Sequence, residues 1–137
     1  MKESDHLPLL HSTLRDYTVK ALALLRVWLP RGCEVKIVHS YRSKALQDEL
    51  YAKGRTTPGP IVTNARGGSS KHNHDDGGTP ASKAVDLAIL EGGKYVPDDS
   101  PLWSLVGAAF TVVAGPQAIR WGGQFKNIRD YGHVELK

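Results

Sequence analysis

A single cysteine, Cys33, stands among the 137 residues, which excludes an internal disulfide. It borders a predicted strand and reads as a small core residue. Long apolar runs are missing as well. The best candidate, residues 102–114, is too short to cross a bilayer and is interrupted by Ser104 and Gly107, so no membrane insertion is expected. The opening residues lack the apolar core and small-residue cleavage site of a secretory leader and carry Glu3, Asp5 and His6 instead. The expectation is synthesis in the cytoplasm without a signal peptide, with any route outward supplied by something else. No block of Lys and Arg interleaves with aromatics, which argues against a nucleic-acid partner.

The chain that remains has ordinary globular proportions, 40% apolar and 23% charged. Its length suits one domain over residues 1–137. A net charge of +4 suits a polyanionic partner such as anionic lipid or an acidic cell-wall polymer.

Leu14, Tyr17, Ala21, Leu24, Leu25 and Trp28 recur at helical spacing, with Ser12 as the expected N-cap and residues 30–32 as the stop. Alternation over residues 34–39 predicts a strand. Ser43 caps a second predicted helix, whose inner side would be Ala45, Leu46, Leu50 and Tyr51. Residues 54–80 hold six glycines and three prolines and read as a long loop inside the domain, functional or mobile. A strand returns at residues 84–90, with a hairpin partner at Tyr95 and Val96. Ser100 and Pro101 predict a helix start, and Leu102, Leu105, Val106, Ala109, Phe110 and Val113 its buried stripe. Short strands follow at residues 119–121 and 132–136. This order predicts an α+β fold with a small, mainly antiparallel sheet flanked by helices.

Six histidines are present. His6 and His11 lie in a polar segment and are expected to be solvated. The run Ser70-Lys-His72-Asn-His74-Asp75-Asp76 concentrates potential ligands in the glycine-rich loop. Asp86 follows within an apolar strand, where a carboxylate needs a partner: a metal ion, or a Lys or Arg. Near the C-terminus, His133 and Glu135 share one side of a strand, and Asp130 stands at its entrance. Two histidines and one carboxylate leave zinc an open position for water, and a further carboxylate can then take a proton.

Ser70-Lys-His72, Ala84-Val-Asp86 and Asp130-Tyr-Gly-His133, in that order, resemble the zinc D,D-peptidases. That group includes D-alanyl-D-alanine carboxypeptidases and the L-alanyl-D-glutamate peptidases of phage endolysins. Ser40-Tyr-Arg42-Ser43 with Gln47, and Trp121-Gly-Gly-x-Phe, look like further family segments. The resemblance covers roughly residues 35–136. It implies zinc held by His72, Asp86 and His133, with Asp130 as general base. Arg42 would stabilise an oxyanion or hold a substrate carboxylate, and Ser70 would help place the substrate. It also implies a Hedgehog/D,D-peptidase-like fold, a peptidoglycan stem peptide as substrate, and a monomer acting in the periplasm or cell wall after release. The bond expected to be cut is L-alanyl-D-glutamate. The alternatives are a D-alanyl-D-alanine carboxypeptidase and a non-catalytic Hedgehog-like zinc module. A zinc nuclease lacks its second metal cluster and basic helix here. Two departures stand out. His72 and Asp86 are further apart than is usual in the family, with Ser82 where glycine is usual, which leaves His74 as a rival ligand; and Gln124 stands where an acid is common after Trp-Gly-Gly.

Overall fold

The computed structural model describes residues 1–137. A first helical turn, α1 (Glu3–His6), leads into α2 (Ser12–Trp28). Strand β1 (Cys33–His39) and helix α3 (Lys44–Ala52) follow. The glycine-rich stretch then contains a 3-10 turn at Lys71–Asn73 and a minute hairpin, β2 (Asp75–Asp76) and β3 (Thr79–Pro80). The remainder is β4 (Ala84–Glu91), β5 (Lys94–Tyr95), α4 (Trp103–Ala114), β6 (Ile119–Trp121) and β7 (His133–Leu136). The main sheet runs β1-β4-β7-β6, with β5 on the free part of β4, and every pairing is antiparallel. The α+β expectation therefore holds.

Strand alternation divides this sheet into a core face and a functional face. Val35 and Ile37 of β1, Val85, Leu87 and Ile89 of β4, and Val134 of β7 join the core with Leu14, Leu22 and Leu25 of α2 and Val106, Ala109 and Phe110 of α4. Each large side chain fully buried there contributes about 1.5–3 kcal/mol from leaving water. The residues between them in sequence, Asp86 on β4 and His133 and Glu135 on β7, therefore point to the other face.

Several local expectations are corrected. The α2 N-cap is His11, whose Nδ1 accepts from Thr13 N at 3.2 Å, so Ser12 is already helical. Trp28 is half-exposed at the helix end, where the chain turns away from the core. Helix α4 begins at Trp103, because Ser100 Oγ accepts from Leu102 N and forms a turn ahead of it. Cys33 is only partly buried, with its thiol 3.6 Å from Glu91 Oε2 at the sheet margin. In α3 the one buried residue is Gln47, while Leu46 is exposed. That helix packs on a polar partner: Gln47 Nε2 donates to the Ala65 carbonyl at 2.7 Å. The long loop is tied down in the same way, with Gly67 N donating to Asp48 and Arg55 to the Thr63 carbonyl.

Candidate metal centre

Antiparallel register sets Asp86 directly opposite His133. The third member arrives from the 3-10 turn, where Ser70 Oγ accepts from His72 N and so caps the turn. Asn73, buried beside it, donates to the Arg42 carbonyl at 2.7 Å and fixes the turn against the start of α3. One ligand atom from each of His72, Asp86 and His133 lies within 4.8 Å of the others.

The hydrogen bonds around these three side chains assign their lone pairs. His72 Nδ1 donates to the Ser40 carbonyl at 2.7 Å, so the neutral ring carries its proton there. Its Nε2 lies 3.2 Å from Asp86 Oδ2 but without the alignment of a hydrogen bond. That nitrogen is buried and has no hydrogen-bond partner. A buried acceptor facing a carboxylate is a costly arrangement unless a cation stands between them. His133 Nε2 is 2.8 Å from Glu135 Oε1, and its Nδ1 is 2.8 Å from Asp86 Oδ1. A carboxylate on the outer nitrogen is how metal-bound histidines are commonly oriented. These donors therefore fit a metal ion and leave it an open coordination position.

Electrostatics agree. Burial pulls the His133 imidazolium down, but its bonds to Asp86 and Glu135 outweigh this and push its pKa up to about 10. Burial would raise Asp86, yet the neighbouring His72 and the bonds from His133 and His39 hold it well below the usual carboxylate range. A proton on His133 thus occupies the place a cation would take.

Arg42 reaches the same cluster, with Nη2 3.6 Å from Asp86 Oδ2 and Nη1 donating to Gln47 Oε1 at 2.9 Å. Gln47 thereby aims Arg42 and pins the loop at Ala65 at once. Asp130 stands at the rim, 55% exposed, with Oδ2 4.0 Å from His133 Nδ1. Partial burial and the charge of Asp86 raise its carboxyl above the ordinary range. Gly122 explains the Trp-Gly-Gly segment: a Cβ there would lie 2.0 Å from the Asp130 carbonyl oxygen. The cluster opens into a groove walled by Leu46, Leu50, Val62, Trp103, Phe125 and Tyr131, which accounts for the exposure of Leu46. Ser70 lines its edge.

His74 lies outside the cluster. Its Nδ1 donates to the Ala81 carbonyl at 2.8 Å, and its ring packs 6.1 Å from that of His11. The extra residues between His72 and Asp86 form the β2–β3 hairpin, closed by Gly77 and Gly78 at φ 64° and 94°. Ser82 is buried where glycine is usual, its Oγ donating to the Ala84 carbonyl at 2.6 Å.

Sequence reading missed two neighbours, His39 and His6, and placed Glu135 beside His133 without its bond. His39 Nδ1 donates to Asp86 Oδ2 at 3.2 Å, after a bulge that brings it opposite Asp86. Glu135 orients His133 through the outer nitrogen. His6, expected in solvent, is 5% exposed and bonded to Ser40. The alternation of β7 is the one signal that pointed toward Glu135.

No family model matches the chain. It is 34% identical over 116 residues to the peptidoglycan L-alanyl-D-glutamate endopeptidase CwlK of Bacillus subtilis (strain 168), covering 77% of this chain and 62% of that protein. The chain thus spans less than two thirds of the length of this relative. The crystal structure of the Serratia marcescens L-Ala D-Glu endopeptidase ChiX superposes with a TM-score of 0.65 at 21% identity, over 99% of this chain and 86% of that one. The second likeness is one of fold. The sequence likeness to the one and the shared fold with the other agree with the zinc D,D-peptidase resemblance carried by the sequence motifs.

Proposed function

We propose that this chain is a zinc peptidase that hydrolyses an amide bond in the peptidoglycan stem peptide, with L-alanyl-D-glutamate as the bond. The observation that carries the reading is the orphaned, buried Nε2 of His72 facing Asp86 and His133. The peptidoglycan endopeptidase activity of the 34% identical relative supports the substrate class. Zinc held by His72, Asp86 and His133 would supply Lewis acidity and a water acidic enough to deprotonate near neutral pH.

The protein's own groups have the remaining tasks. Asp130, half in solvent beside His133, takes the proton from the attacking water and delivers it to the leaving amine. Its raised pKa suits a group that must both accept and release a proton. Arg42, held by Gln47, opposes the negative charge that develops on the carbonyl oxygen or holds a substrate carboxylate. The groove walls exclude water from the extended peptide, and Ser70 borders its path. The protein would act as a monomeric, bacteriolytic enzyme of phage type, reaching the cell wall after release, where its +4 charge favours an acidic polymer.

Mass spectrometry of purified peptidoglycan after digestion tests this. The expected products are fragments with a new D-glutamyl amino terminus. Release of terminal D-alanine would instead make the chain a carboxypeptidase, and no products with zinc bound would make it a binding module.

A further inference from the structure

Outside the three candidate metal donors, a buried polar connection runs to the N-terminal segment. His6 on α1 is 5% exposed, and its Nδ1 shares a 2.8 Å hydrogen bond with Ser40 Oγ, itself 2% exposed. The carbonyl of the same Ser40 accepts from His72 Nδ1 at 2.7 Å. Both polar ends of Ser40 are therefore engaged. One faces the N-terminal segment and the other fixes the tautomer of a candidate metal ligand.

The N-terminal segment is also held at a second point. Ser82 N donates to the Leu9 carbonyl and His11 N to the Ser82 carbonyl, each at 2.8 Å. Ser82 lies just beyond the hairpin that lengthens the loop between His72 and Asp86. Residues 6–11 thus grip both ends of that loop, at Ser40 beside His72 and at Ser82 before β4. The segment is itself fixed to α2. The Arg15 guanidinium donates to the carbonyls of Leu7, Pro8 and Leu10, and Arg26 pairs with Glu3.

We infer that residues 6–11 form a clasp that sets the position of the metal ligand His72, with His6 as a positioning residue acting through Ser40. The inference rests on the metal reading above and adds to it a residue far from the groove in sequence. Its physical content is preorganisation. A histidine held in one rotamer and one tautomer binds a metal more tightly than one that must be ordered on binding.

The test compares the full-length parent with His6→Leu, His6→Asn and Ser40→Ala. Zinc affinity is measured by competition with a chromophoric chelator, and the visible spectrum is recorded after cobalt substitution. Leucine fills the space of His6 without a polar atom, whereas asparagine restores one near the position of Nδ1. His6→Leu should weaken zinc binding about tenfold, the lower end of what outer-shell partners contribute. It should also alter the cobalt spectrum. His6→Asn should recover affinity to within about threefold, and Ser40→Ala should match His6→Leu with the double variant no worse, as expected for groups acting in series. Should His6→Leu fail to fold by circular dichroism, Ser40→Ala and His6→Asn carry the comparison. Parent-like affinity and spectrum in folded His6→Leu or Ser40→Ala, with only the melting temperature lowered, would overturn the inference and leave the clasp a structural brace. A parent that binds no zinc would overturn the metal reading itself.

Discussion

Replacing Gly122 by alanine puts a methyl group 2.0 Å from the Asp130 carbonyl oxygen and 3.0 Å from His133 Cβ. Ordinary contact for such a pair begins near 3.4 Å, so one strand of backbone must retreat by more than about 1 Å. The neighbour is main chain and cannot swing aside as a long side chain would. The same movement strains the bond from Asp130 N to the Gly122 carbonyl, 3.0 Å in the native chain. Overpacking of this kind costs about 1–3 kcal/mol. For a domain of this size that is a fall of roughly 3–10 °C in melting temperature. The effect on turnover should be larger than the stability loss suggests, because displacing a reacting group by about 1 Å can cost about a hundredfold. Gly122→Ala is therefore expected to remain folded at 25 °C, with zinc still bound and peptidoglycan hydrolysis down by about two orders of magnitude. Thermal melting, metal analysis and turnover on one preparation give all three numbers. Turnover within a few-fold of the parent would refute the argument that Gly122 sets the position of Asp130.

Three further outcomes are expected. Asp130→Asn, nearly isosteric and at an exposed rim position, should keep fold and zinc but lose about a hundredfold in turnover, the scale of a lost general base; a loss of only a few-fold with zinc unchanged would remove Asp130 from the chemistry. Glu135→Gln should weaken zinc about tenfold or more, because the carboxylate that accepts from His133 Nε2 is gone; chelator competition with unchanged affinity would refute that role. In the metal-free protein, His133 is raised from 6.5 to about 10, so its stabilising contribution is complete below pH 6.5 and is lost as pH rises toward 10. Zinc must displace that proton, so affinity should rise with pH over the same window. Melting of the chelated protein from pH 6 to 10, and zinc titrations across that range, should show opposite slopes; a flat stability profile would contradict the assignment.

The face that carries the site was legible because strands impose a period of two. Asp86 stands between Val85 and Leu87, and His133 precedes Val134, so the apolar residues chose the core side and left the candidate ligands on the other. His72 was harder to fix against His74 from sequence. What separates them is tertiary: one ring nitrogen of His72 meets the Ser40 carbonyl, whereas His74 turns toward Ala81. The long gap before Asp86 was visible, but the hairpin closed by Gly77 and Gly78 pairs strands of only two residues each, too short to leave a periodic signal. His6 carried no local signal. It sits in a polar segment, and its burial comes from packing against residues more than thirty positions away. Leu46 misled for the converse reason, since an apolar residue on a helix can face a substrate groove as readily as a core.

The central claim is that His72, Asp86 and His133 hold one zinc ion. Zinc titration of the chelator-stripped protein, run in parallel on His72→Ala and His74→Ala, tests it most directly. One high-affinity site per chain is expected in the parent, with its loss in His72→Ala and its retention in His74→Ala, whose ring lies outside the cluster. A parent without a high-affinity site, or a site lost in His74→Ala and kept in His72→Ala, would contradict it.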